Sequence, residues 1–117
     1  MEDKTVIKAV CPACNQSLMD DSELINNEDS IRLTIETADE NVGRVHLSSI
    51  YGNYNYMSKL RVPENEIVRF YCPSCDSQLT SGERCNICQA PLVSLDVRGE
   101  NEVVFCSRNG CENHKIV

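Results

Sequence analysis

Eight cysteines arranged in four pairs constrain this chain more than anything else in it. Three pairs are CxxC steps: Cys11-Pro-Ala-Cys14, Cys72-Pro-Ser-Cys75 and Cys85-Asn-Ile-Cys88. The fourth, Cys106 and Cys111, is wider, and nine residues separate the second step from the third. A CxxC turn presents two thiolates to one ion from a single short loop. Four pairs therefore supply two closed tetrahedral four-cysteine sites with no thiol left over.

Such a chain needs the ions. Its 117 residues fit one domain or two small lobes, and there are two phenylalanines, four tyrosines and no tryptophan to fill a core. Neither of two lobes could bury enough apolar surface to be comfortably stable alone. A structural zinc contributes on the order of 10–16 kcal/mol in small peptides, as much as a typical domain stability.

Metal is expected rather than disulfide. The stretch Met1-Glu-Asp-Lys-Thr-Val-Ile has neither a cationic start nor a long apolar segment, so no export signal is expected. No apolar run approaches membrane-spanning length, and no membrane association is expected. The expected location is cytoplasmic, where thiols stay reduced. The formal net charge of −7 bears on partners. Four thiolates around one dication carry −2, so the loaded chain is more acidic still. Phosphate would repel it unless basic residues cluster. Lys59, Arg61 and Arg69 are the candidate cluster, interrupted by Glu64 and Glu66, so nucleic acid is disfavoured as a partner.

Along the chain, residues 5–10 read as a short strand delivering Cys11. In such a turn the residue after the second cysteine often takes a left-handed conformation, usually as glycine. Here that place holds Asn15, Asp76 and Gln89. Asparagine and aspartate tolerate it best; glutamine fits less well. Leu18, Leu79 and Leu92 each stand four residues beyond their cysteine and read as apolar plugs beneath the three turns. Residues 19–30 are acidic and turn-rich, and read as a solvated loop or a single helical turn. From Ile31 the period becomes two, with Ile31, Leu33 and Ile35 alternating with polar residues. A turn at 37–41 leads to a second strand over 42–51, where Val45 and Leu47 face one way and Arg44 and His46 the other. The strand Ile67–Tyr71 runs into Cys72. Residues 31–71 are thus three or four antiparallel strands inserted between two cysteine pairs. Beyond Cys88, residues 92–97 and 102–105 form a hairpin about a turn at 98–101. The tail 112–117 reads as frayed.

The expected fold is mostly β: a small metal-stapled protein with two four-cysteine sites and an inserted antiparallel sheet. Residues 1–79 form one unit carrying the insertion at 31–71, and residues 80–117 form a second. Hairpin geometry brings Cys85 and Cys88 beside Cys106 and Cys111, and Cys11 and Cys14 beside Cys72 and Cys75. This sequential sharing needs the least extra loop closure. A nested arrangement joins Cys72 and Cys75 to Cys85 and Cys88 and remains open, as does a crossed one.

These residues carry a resemblance. The run Cys72-Pro-Ser-Cys-Asp-Ser-Gln-Leu through Cys85-Asn-Ile-Cys-Gln-Ala-Pro-Leu resembles the double zinc ribbon of many small proteins, over residues 5–18 and 67–116. The resemblance implies two structural zinc ions. Ribbons serve as nucleic-acid readers, docking modules and structural appendages, so it points to a fold more than to a task. Residues 19–66 lie outside it.

Other chemistries fit less well. CPAC and CPSC could act as dithiol redox motifs, but those sit at helix N-termini after a βαβ pattern, and none is visible. Iron suits the same thiolates. A catalytic ion needs an open position, whereas eight thiolates saturate two ions. His114 could replace a cysteine, and a tail histidine is more often exposed. His46 reads as solvated surface. No Ser/His/Asp set, phosphate loop or carboxylate pair is recognisable, so no enzymatic activity is expected. Tyr51, Tyr54 and Tyr56, with Lys59 and Arg61 beyond, read plainly as rings covering the core of the insertion, or functionally as a recognition face. Arg98, Arg108 and Lys115 are a weaker candidate. The expected function is a zinc-binding accessory module docking on a larger protein partner. The alternatives are a nucleic-acid-binding ribbon and a redox-responsive zinc-thiolate protein.

Overall fold

The computed structural model describes residues 5–97, 101–111 and 114–116, the last three by backbone alone. The strands are β1 (Ala9–Val10), β2 (Met19–Ile25), β3 (Glu28–Glu36), β4 (Val42–Leu47), β5 (Tyr56–Ser58), β6 (Arg69–Tyr71), β7 (Leu92–Val97), β8 (Glu102–Cys106) and β9 (His114–Ile116). No helix occurs among the described residues. The fold is mostly β, with two antiparallel sheets and two four-cysteine clusters, as expected.

The inserted sheet is built on β3. Ser30, Ile31, Leu33 and Ile35 are buried while Arg32, Thr34 and Glu36 are half-buried, the two-residue period of a strand with one face in the core. One edge of β3 pairs with β4 from Ile31↔Leu47 to Glu36↔Val42. The other edge is shared by β2, at Met19↔Ile31 and Ile25↔Glu28, and by β6, at Thr34↔Tyr71 and Glu36↔Arg69. β5 pairs with the outer edge of β4. The second sheet runs in the order β1-β7-β8-β9.

Several expectations needed correction. Residues 19–30 are not a loop or helical turn but strand β2 and a two-residue hairpin into β3. Asn26 and Asn27 have φ of 53° and 67°, the left-handed pair that a type I′ turn requires. Main-chain pairing to β3 outweighed the acidity of the segment, and a register shift between Asp20 and Leu24 absorbs its polar middle. The strand expected over 42–51 ends at Leu47, and of 5–10 only Ala9–Val10 is strand, with Val6 bridging Ile50. The tail expected to fray carries β9, antiparallel to β8. The turn at 98–101 lies mostly outside the described residues.

Residues on both sides of position 79 share one apolar core. Ile31, Leu33, Ile35 and Val45 of the inserted sheet join Val93, Leu95 and Val103 of the second sheet in one cluster with Ile7, Val68 and Phe70. Phe70 meets Phe105 edge-on, with ring centroids 5.3 Å apart. β1, from the N-terminal segment, pairs with β7 at Ala9↔Val97 and Val10↔Asp96. The loop before β6 is fastened to the loop after β8. Asn65 N–H donates to the Asn109 carbonyl (3.0 Å), Asn109 N–H to the Glu66 carbonyl (2.8 Å) and Val68 N–H to the Ser107 carbonyl (3.1 Å).

Candidate metal centres

The three CxxC turns repeat one another bond for bond. Cys11 N–H donates to the Gln16 carbonyl, Asn15 N–H to the Cys11 carbonyl and Leu18 N–H to the Ala9 carbonyl. Cys72, Asp76 and Leu79 make the same three bonds to Ser77, Cys72 and Phe70. Cys85, Gln89 and Leu92 make them to Ala90, Cys85 and Glu83. The turn closes only if the residue after the second cysteine is left-handed. Asn15, Asp76 and Gln89 have φ of 62°, 59° and 67°, so even glutamine accepts the conformation. The plug leucines behave as expected: Leu18, Leu79 and Leu92 are all buried.

Two tetrads result. Cys11, Cys14, Cys72 and Cys75 form the first and Cys85, Cys88, Cys106 and Cys111 the second, and within each the sulfurs lie within 4.8 Å of one another. The sharing is sequential; the nested and crossed arrangements are not formed. Three sulfur pairs, Cys11–Cys75, Cys14–Cys72 and Cys85–Cys111, are 3.8 Å apart, and Cys88–Cys106 is 3.3 Å. A disulfide is about 2.0 Å long. A tetrahedral ion with metal–sulfur bonds of about 2.3 Å has sulfur–sulfur edges of about 3.8 Å. The donor sets therefore fit a four-thiolate ion each, and the eight cysteines all fall within the two tetrads.

The backbone adds the outer contacts such ions require. Ala13 and Cys14 N–H point at Cys11 Sγ (3.3 and 3.5 Å), Ser74 N–H at Cys72 Sγ (3.4 Å), Ile87 and Cys88 N–H at Cys85 Sγ (3.3 and 3.5 Å), and Arg108 N–H at Cys106 Sγ (3.5 Å). In the first tetrad the Ser77 hydroxyl and backbone N–H pull the Cys75 thiol down to about 6, while burial pushes Cys11 up to about 12. In the second, the Ala90 backbone N–H leads the groups that pull Cys88 down, Arg108 among them, and burial pushes Cys106 up. An entering cation must displace protons from the buried thiols, so metal affinity weakens as pH is lowered.

Arg108 is more than a surface cation. Its Nη1 donates to the Asn65 carbonyl (3.0 Å) and its Nη2 approaches the Cys88 carbonyl (3.5 Å), tying the 62–68 loop to the second tetrad. Of its sequence companions, Arg98 and the side chain of Lys115 lie outside the described residues, as does the side chain of His114, the candidate replacement ligand. His46 is not solvated. Its Nε2 lies 3.0 Å from Asp20 Oδ2, with only 15% of the side chain exposed, because β2 brings Asp20 over the polar face of β4. Tyr51, Tyr54 and Tyr56 are 38%, 44% and 46% exposed, and Tyr54 and Tyr56 border the apolar cavity between the sheets that Ile31, Val45 and Leu47 line. Arg69, grouped in the sequence with Lys59 and Arg61, sits on β6 at the edge of β3 away from β4 and β5; its Nε is 3.2 Å from Glu36 Oε1, which also accepts from the Tyr71 hydroxyl (3.1 Å). Asp20 carried no sequence signal toward His46, since only the fold brings the two together; Ser77 stands two residues from Cys75, and the geometry of the turn aims its hydroxyl and N–H at that sulfur.

Comparison of the chain with protein-family models, with curated proteins and with solved structures returns no match.

Proposed function

We propose that this chain is a non-enzymatic zinc-binding module that docks on a larger protein through the face around Tyr54 and Tyr56. The observation that carries the reading is the closure of both tetrads. All eight thiolates fall into two closed tetrads, which would saturate two tetrahedral ions and leave no coordination position for substrate or water. Zinc is the favoured ion because four thiolates around a redox-inert cation suit a structural role, and a reducing compartment such as the cytoplasm keeps the ligands ready. Docking is favoured at the β5 edge because large aromatic and sulfur-bearing side chains, Tyr54, Tyr56 and Met57, stand exposed there. Tyrosine is enriched at interfaces, where it supplies apolar area and a hydrogen bond at small entropy cost. Lys59 and Arg61 follow on the same segment and would meet an acidic rim. Against nucleic acid stand the net charge of −7 and the Arg69–Glu36 pair.

The test is native mass spectrometry of the protein isolated from its own host. Two zinc ions and a bound partner are expected, and Tyr54→Ala with Tyr56→Ala should release the partner while both ions remain. A partner that survives both substitutions sinks the face assignment.

A second reading rests on Cys75, the one exposed ligand, whose thiol is pulled toward thiolate by Ser77. An oxidant would reach this sulfur first and could eject the ion of the first tetrad. Mild peroxide followed by measurement of released metal decides the matter; unchanged content rules the switch out.

A further inference from the structure

Each arm of the first tetrad is fastened to an arm of the second. Cys11 follows β1, and β1 pairs with β7 at Ala9↔Val97 and Val10↔Asp96. β7 begins at Leu92, the buried leucine beneath the 85–88 turn. Cys72 follows β6, whose Phe70 meets Phe105, the neighbour of Cys106, with ring centroids 5.3 Å apart. Cys11 and Cys72 lie in the same buried cluster as Leu95 and Val103 of the second sheet.

The extra residues of the wide fourth pair make the closest tie. Ser107, Arg108 and Asn109, enclosed between Cys106 and Cys111, are bonded to the 62–68 loop that leads into β6. Val68 N–H donates to the Ser107 carbonyl (3.1 Å), Asn65 N–H to the Asn109 carbonyl (3.0 Å) and Asn109 N–H to the Glu66 carbonyl (2.8 Å). Asn109 Nδ2 donates to the Val62 carbonyl (3.1 Å), and Arg108 Nη1 to the Asn65 carbonyl (3.0 Å). Arg108 is tied to the second tetrad as well. Its N–H points at Cys106 Sγ (3.5 Å) and its Nη2 approaches the Cys88 carbonyl (3.5 Å). Metal binding and local folding are linked, so an ion orders the loop that ligates it. The loop that an ion in the second tetrad would fix is therefore the one against which the segment delivering Cys72 is laid.

We propose that the two metal centres load as a pair, and that the 107–109 loop carries the coupling, with Arg108 and Asn109 as positioning residues. The inference rests on metal binding by the two tetrads and is independent of the docking face. An ion in the second tetrad holds 107–109, that loop holds 62–68, and Cys72 is thereby placed beside Cys11 and Cys14 before their own ion arrives. Linkage makes the effect reciprocal: an ion in the first tetrad favours loading of the second by the same factor, typically about 5–150-fold. The chain then passes from empty to full over a narrower range of free metal than two separate sites would.

The test titrates the full chain, stripped of metal and kept reduced, with zinc, and counts chains holding no, one and two ions by native mass spectrometry. Fewer than two ions at saturation refutes the metal reading itself and the pairing with it. For unlinked sites of any affinity, the empty population times the full one, divided by the square of the one-ion population, cannot exceed about one quarter. The native chain should exceed that limit about tenfold or more. A value at or below it, with two ions bound at saturation, overturns the pairing and leaves the metal reading standing. Arg108→Ala should still take two ions but lower the ratio at least about threefold; Asn109→Ala replaces it should that variant fail to load them. General loss of stability acts in the opposite direction. Gly43→Ala, remote from the loop in sequence, leaves more of the folding to the first ion and should keep or raise the ratio. A ratio that is unchanged or raised in the loop variant overturns the role of 107–109.

Discussion

Gly43 and Leu60 occupy a fit that leaves no room for a methyl group. A Cβ built at Gly43 would lie 2.5 Å from Leu60 Cγ and 2.7 Å from Leu60 Cδ1. Gly43 sits on β4 opposite Ile35, and Leu60 folds back over it to pack against the core. Gly43→Ala should therefore cost about 1–3 kcal/mol, the usual penalty for overpacking. Leu60→Ala alone should also destabilise, by removing apolar contact. In the double variant the losses should fall short of their sum, since the alanine methyl enters space the leucine has left. Urea unfolding of the four proteins, each carrying two ions, measures the coupling; strict additivity refutes the contact.

Sequential sharing of the cysteines makes a prediction about pairs of substitutions. Cys11→Ser with Cys72→Ser disables one tetrad and should leave one ion per chain. Cys72→Ser with Cys85→Ser disables both and should leave none. Nested sharing reverses the second result, leaving one ion. Metal counting on purified protein distinguishes them. Stripping both ions with a chelator should unfold the chain, because Cys11 and Cys72 are themselves part of the apolar core and Cys85 and Cys106 part of the smaller cluster beside it.

The parts of this fold that were legible in the sequence are those set by local chemistry. The three CxxC turns, the left-handed residues after them and the leucine four positions on are short-range, and each turn closes on its own backbone. The alternation from Ile31 to Ile35 was equally plain. Asn26-Asn27 is a two-residue hairpin signal, but the acidic residues around it have the composition of a solvated segment, and the pairing that makes β2 a strand is not written in them. The pairing of β6 with the half of β3 that β2 leaves open, and of β1 with β7, depends on partners about 35 and 90 residues away, and no local preference encodes such a choice. Asp20 meeting His46, Arg108 meeting Asn65 and the cavity between the sheets are consequences of those pairings and were hidden with them.

Gln89 identifies a place where the sequence is not at its optimum. Its φ of 67° is left-handed, a conformation that costs an ordinary residue about 1–2 kcal/mol and glycine nothing. Its carbonyl accepts from Arg84 Nη1 (3.1 Å) and its N–H donates to the Cys85 carbonyl, bonds that glycine keeps. After the added entropy of glycine in the unfolded chain, Gln89→Gly should stabilise by about 0.5–1 kcal/mol. Asn15→Gly should gain less, since asparagine already tolerates the turn. Denaturant midpoints of the metal-loaded proteins decide, and a loss of stability in Gln89→Gly contradicts the reading.

Asp20 supplies the pH prediction. The Ser22 hydroxyl (2.6 Å) and backbone N–H (2.9 Å) hold its carboxyl down to about 2, from 3.8, with His46 adding to the effect. A depressed carboxyl contributes stability that is complete above the unfolded value of 3.8 and is lost as pH falls through 2. Between pH 7 and pH 5 this contribution should be constant. The metal contribution should not be, because protons reclaim the thiols as pH falls. Asp20→Asn should therefore lower stability by about 1 kcal/mol, through the loss of a charged acceptor. That deficit should not shrink across the interval while the stability of both proteins declines. A deficit that shrinks markedly between pH 7 and pH 5 would place the Asp20 titration in that range and refute its assignment to the Ser22 and His46 contacts.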